Sequence, residues 1–179
     1  MKAILMSIQP KWCAKIANGE KTIEVRKTRP KIELPFKCYI YMTLAKPYCY
    51  EFAGGGKMKA KNGKVIGEFV CDRMYGVAIT GVFENGEQLP IDILKQSCLT
   101  VSEFHNYVGI KNGYGWHISE LKIYDKPKEL GEFRGFCSKK AKCYSDIIRH
   151  CNDTHLTWKC NPLARAPQSW CYVEELEEL

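Results

Sequence analysis

Residues 18–26 read Asn18-Gly19-Glu20-Lys21-Thr22-Ile23-Glu24-Val25-Arg26, and two periodicities meet in them. Upstream, Pro10 suits the first turn of a helix, and Trp12, Cys13, Ile16 and Ala17 give that helix one apolar face. Asn18-Gly19 ends it, glycine being the usual residue just past a helix C-terminus. Downstream the period changes to two: Ile23 and Val25 face one way, and Thr22, Glu24 and Arg26 the other. The stretch therefore predicts a helix, a tight turn and a half-buried strand carrying polar groups on its open face. Lys21, Glu24 and Arg26 would share one groove there. The cations can hold a phosphate, while Glu24 orients Arg26 or accepts from a base amine. Lys21 beside a carboxylate can also shuttle a proton. The competing reading of the same residues is an exposed ion network of small energetic value.

Beyond this stretch, residues 2–8, 37–43, 64–72, 77–83, 115–124 and 168–173 read as further strands, the last closing the barrel. Residues 53–63, rich in glycine and lysine, read as a mobile loop, and Asn85-Gly86 as a turn. Thr100 with Glu103 three residues later has the form of a capping box opening a short helix through Phe104 and Tyr107. Residues 127–133 read as a brief helical turn. Short strands with two or three helices predict an α+β barrel rather than βαβ units. No dinucleotide or Walker-type phosphate loop and no internal repeat is present. The 179 residues suit one domain, with residues 135–162 as a loop-rich, cysteine-rich insertion near the C-terminus.

The formal net charge is +7. Up to Lys37 the cations are Lys2, Lys11, Lys15, Lys21, Arg26, Lys27, Arg29, Lys31 and Lys37, against Glu20, Glu24 and Glu33. A basic lobe of this kind suits a polyanionic partner, an RNA or a nucleotide, or else an acidic protein surface. Unpaired bases are commonly read by stacking on aromatics. Trp12 beside Lys11 and Trp116 beside His117 are the candidates, each with packing in the core as its alternative. Tyr48 and Tyr50 are rim aromatics or packing residues. No stretch has the length of a signal peptide's apolar region or of a membrane span. The expected location is the cytoplasm, away from any membrane.

The chain has ten cysteines. In a reducing compartment such cysteines fill cores, act in catalysis or bind metal. Cys13, Cys38, Cys49, Cys71 and Cys98 lie among apolar residues and read as core, as does Cys171. Cys137, Cys143, Cys151 and Cys160, with His150 and His155 between them, form the candidate set for one structural zinc. No other cofactor is required.

The run from Asn18 to Arg26, with the helix before it and the strand after it, resembles the signature of the ASCH family within the PUA-like superfamily. Pro167-Gln-Ser-Trp-Cys-Tyr-Val173 resembles the ending of its bacterial and phage branch. The resemblance covers residues 1–133 and the closing strand. It implies a PUA-like β-barrel with two or three short helices and an RNA-binding cleft, here lined by Lys11, Trp12, Lys21, Thr22, Glu24 and Arg26. One branch hydrolyses N4-acetylcytidine with a lysine, a threonine and a glutamate. Lys21 matches the lysine, Glu24 stands in the threonine's place, and the glutamate's place falls near Ser97. The expectation is an RNA- or nucleotide-binding protein. The alternatives are a hydrolase of RNA or modified nucleosides, with Lys21 and Glu24 catalytic, and a protein-interaction module.

Overall fold

The computed structural model describes residues 1–46, 48, 50–52, 58–78, 80–109, 112–136 and 162–176. Strand β1 (Lys2–Ile8) is apolar on both faces and buried on both, as an interior strand must be. It pairs in parallel with β3 (Phe36–Met42), Leu5 opposite Tyr39, and antiparallel with β12 (Trp170–Glu174), Leu5 opposite Cys171. A parallel pair needs a crossover. Here it holds helix α1 (Pro10–Ala17) and strand β2 (Ile23–Arg26). With β6 (Lys64–Cys71) and β11 (Ser119–Lys128) these strands form a five-stranded sheet in the order β11-β6-β3-β1-β12.

The second five-stranded sheet has the order β2-β10-β7-β8-β9. It contains β7 (Met74–Ala78), β8 (Gly81–Glu84), β9 (Glu87–Leu89) and β10 (Gly113–His117), and its neighbouring strands run antiparallel. Asn85 and Gly86 turn β8 into β9 with φ of 50° and 87°, the two-residue turn that this dipeptide favours. Strands β4 (Tyr50–Phe52) and β5 (Met58–Ala60) form a two-stranded sheet. Helices α2 (Ile93–Ser97) and α3 (Val101–Val108) and a 3₁₀ turn at Leu130–Glu132 complete the described elements.

The chain divides into two compact units. The first comprises Met1–Pro10, Cys38–Gly67 and Tyr124–Leu179, and its core gathers Ala3, Leu5, Tyr39, Tyr41, Val65, Phe133 and Val173. The second comprises Lys11–Lys37 and Glu68–Ile123. Its core runs from Ile23 and Val25 through Tyr75, Val77 and Val82 to Ile93, Phe104 and Val108.

The α+β class holds, and several details change. Among the described residues no barrel closes: the strands fall into separate sheets, and β2, at an end of its sheet's order, has helix α2 packed against it. Residues 77–83 are not one strand but the hairpin of β7 and β8, and residues 115–124 break between β10 and β11 near Glu120, whose φ is 47°. Part of the expected glycine-rich loop is strand β5. Cys137, Cys143, Cys151 and Cys160 lie outside the described residues. Among those described, no group of three or more His, Cys, Asp or Glu side chains is arranged to hold a metal ion. No described helix is long and apolar enough to cross a membrane.

Candidate functional site

The signature stretch is shaped first by its glycine. Gly19 takes φ +75°, a left-handed backbone that side chains disfavour. This lets the N–H groups of Glu20 and Lys21 both return to the Lys15 carbonyl, at 2.9 and 3.0 Å. The chain thus leaves the helix with Lys21 buried at 3% exposure.

Lys21 also completes another helix. Helix α2 begins on Asp92, whose carboxylate accepts from the Lys95 N–H, and stops at Cys98 with φ 56°. The last carbonyls of a helix have no partner within it. The Gln96 carbonyl takes the Thr22 N–H at 2.9 Å, and the Ser97 carbonyl takes the Lys21 ammonium at 2.7 Å. A cation suits this negative end.

From Lys21 a chain of charges runs along β2. Lys21 Nζ lies 3.3 Å from Glu24 Oε2, and Arg26 Nη2 donates to Glu24 Oε1 at 3.0 Å. Glu24 and Arg26 therefore share a strand face, as the alternation predicts. Directly opposite them on β10 stand Trp116 and Tyr114. Tyr107 of α3 hydrogen-bonds Arg26. Burial raises the pKa of its phenol, with the Arg26 charge pulling it down and the Glu24 charge pushing it up. Trp12 presents its ring 5.4 Å from Lys21 Nζ and 4.1 Å from Lys11 Nζ.

Lys21, Glu24 and Arg26 converge, but on a buried site and not on the open cleft expected. Their side chains keep only 2%, 9% and 7% of their exposure. Charges leave water at tolerable cost only when paired and hydrogen-bonded; here both cations pair with Glu24, and Lys21 also bonds the end of α2. The opposite face of β2 is core through Ile23 and Val25, so all four strand residues are buried.

The remaining candidates divide. Lys11 belongs to the site's rim, exposed over Trp12 and bonded to Glu103 Oε1 at 2.9 Å. Thr22 does not join the charge chain; its hydroxyl donates to Gln96 Oε1 at 3.3 Å. Trp116 is core, fully buried with its ring edge-on to Phe36 at 5.6 Å. Half-buried His117 pairs instead with Asp72, Nδ1 to Oδ1 at 2.6 Å. Burial alone would raise the Asp72 pKa, but hydrogen bonds from His117 and Ser119 and the His117 charge bring it below the ordinary value.

Tyr114 and Tyr107 had escaped the sequence reading as site residues, and Ser97 had entered it only as the place of the family's glutamate. Tyr114 sits two residues before Trp116 on the same strand, a period-two signal that was there to read. Tyr107 lies one helical turn after Glu103. Ser97 enters through its backbone carbonyl, which no side-chain pattern announces, and its own hydroxyl is fully buried without a hydrogen-bond partner.

No family model matches the chain, and no curated protein does. Among solved structures it is similar to the ASCH protein of Zymomonas mobilis, with 15% identity and a TM-score of 0.55 over 97% of this chain and 88% of that one. Two mutant proteins of the same ASCH protein give TM-scores of 0.59 and 0.55 at 15% and 14% identity. They are covered over 92% and 89% of their length by 98% and 97% of this chain. At such identity the likeness speaks for the backbone and not for the site. The chain has the ASCH fold.

Proposed function

We propose that the chain binds RNA or a nucleotide at Lys21, Glu24 and Arg26. The observation that carries this reading is two cations converging on one buried carboxylate. Their surplus positive charge is what a phosphate, or the acceptor edge of a base, would complement. Trp12 and Tyr107 stand over or beside these cations and are part-exposed, so a ligand meets them first. Exposed Lys11, Lys27 and Arg29 carry positive charge out to the surface. The reading agrees with what resemblance to the ASCH signature implies.

The test must separate a binding role from a structural one. Replacing a whole buried ion network by apolar residues of similar size often leaves stability unchanged. The triple variant Lys21→Met, Glu24→Leu, Arg26→Met should therefore stay folded. Its affinity for a labelled single-stranded RNA of about ten nucleotides, measured by anisotropy, should fall at least about tenfold as phosphate contacts are lost. A folded triple variant that binds as tightly as the wild type would contradict the reading.

A further inference from the structure

Three aromatic side chains of the second unit share a feature that charge pairing alone does not require. Each has a cation over its ring: Lys11 at 4.1 Å from the Trp12 ring centroid, Lys27 at 5.3 Å from that of Tyr107, and Arg29 at 6.0 Å from that of Tyr114. All three rings border the buried charge chain. Trp12 lies by Lys21, Tyr107 is hydrogen-bonded to Arg26, and Tyr114 is the cross-strand neighbour of Arg26. Directly opposed residues on antiparallel strands project to the same side, so Tyr114 and Arg26 share a face. The Lys11–Glu103 ion pair ties the Trp12 end of α1 to α3 at 2.9 Å, one turn before Tyr107.

None of the three rings is core. Tyr107 keeps 37% of its surface exposed, Trp12 and Tyr114 are half-buried, and Lys11, Lys27 and Arg29 are exposed. Part-exposed rings, each beside a cation, suit the two things that a single strand of nucleic acid offers: a flat base and its phosphate. A duplex hides its base faces and offers only phosphate and groove edges. We propose that Trp12, Tyr107 and Tyr114 form a stacking track for successive unpaired bases of single-stranded RNA, with Lys11, Lys27 and Arg29 on its phosphates.

This inference rests on the RNA-binding reading and fails separately from it. Full-length protein is titrated with a labelled single-stranded RNA of about ten nucleotides and with a hairpin duplex of matched charge. The wild type should prefer the single strand. Tyr107→Leu and Tyr114→Leu should each weaken it about tenfold, within the range seen for losing one base stack. Tyr114→Leu should melt near the wild-type temperature, since its ring is not core, whereas Tyr107→Leu also removes the bond to Arg26 and should melt close to Tyr107→Phe, which removes the same bond. Tyr107→Phe, which keeps the ring and loses only the hydroxyl on Arg26, should bind more tightly than Tyr107→Leu. Equal affinity for single strand and duplex, or leucine variants that bind like the wild type, would overturn the stacking track while leaving an RNA-binding charge site in place. Failure of the wild type to bind either RNA would overturn both.

Discussion

Glu24 is the residue on which the site turns, because it is the carboxylate between Lys21 and Arg26. Glu24→Leu alone would leave two buried cations without their counter-charge, a loss of about 3–5 kcal/mol for breaking a buried pair from one side. Urea unfolding should show this, and the triple apolar variant should recover most of it; a single change that costs nothing would mean the pairing is not formed in solution. Gly19 matters for its backbone. A Cβ there meets nothing within 4 Å, so Gly19→Ala should cost only the left-handed conformation, about 1–2 kcal/mol by the same measurement. Among the thiols, burial, with the nearby Asp72 charge adding to it, pushes Cys71 up to about 12, and burial pushes Cys171 up to about 11. The thiolate is the reactive form, so neither should be alkylated by iodoacetamide at pH 8 until the protein is unfolded. Peptide mapping after brief labelling reads this directly, and rapid native labelling of Cys71 would contradict it. Convergence of the three charged residues was legible in the sequence because a strand's side-chain period is two. Their burial was not, because it depends on the Ser97 carbonyl 76 residues further along the chain.

At the scale of elements, strong local signals were read and weak ones missed. Helix α1 and its glycine stop appear where the spacing predicted them, and α3 begins on its capping box at Thr100 and Glu103. Helix α2 was not anticipated. At five residues it is too short to show a periodic face, and its one local mark is the cap at Asp92. The split between β10 and β11 was hidden because apolar residues recur on both sides of it, Trp116 and Ile118 before and Leu121 and Ile123 after, while the left-handed Glu120 just beyond it is a backbone feature. The start of α3 has a pH signature. The Lys11 hydrogen bond, and then the Thr100 N–H, hold the Glu103 carboxylate down to about 2. A carboxyl whose folded pKa lies below its unfolded value stabilises the fold above the ordinary carboxylate range, and that contribution is lost as pH falls toward the folded value. Glutamine can keep the cap but cannot ionise. The melting-temperature advantage of the wild type over Glu103→Gln should therefore shrink steadily from about pH 5 to about pH 2; an advantage independent of pH in that window would argue against the Lys11–Glu103 contact.

For the molecule as a whole, the fold class was legible in the succession of short strands and helices and the ASCH resemblance in two short stretches, but the two separate sheets were not. Strand alternation says which residues share a face but not which strands become neighbours. Whether the molecule binds or catalyses turns on the same few atoms. Acyl transfer needs a nucleophile or an activated water beside its acid and base. Thr22, the hydroxyl beside the charge chain in sequence, is bonded to Gln96, and the Lys21 ammonium is held by Glu24 and the Ser97 carbonyl. Incubation with N4-acetylcytidine at micromolar enzyme for hours should accordingly yield no cytidine; turnover abolished by Glu24→Gln would make the protein a hydrolase. The most direct test of the binding claim is the salt dependence of single-stranded RNA affinity. The logarithm of the association constant should fall linearly with the logarithm of salt concentration, by about 0.7 for each phosphate neutralised, and more steeply for the wild type than for the folded triple variant. An affinity indifferent to salt, or the same slope in both proteins, would contradict a phosphate site at Lys21, Glu24 and Arg26.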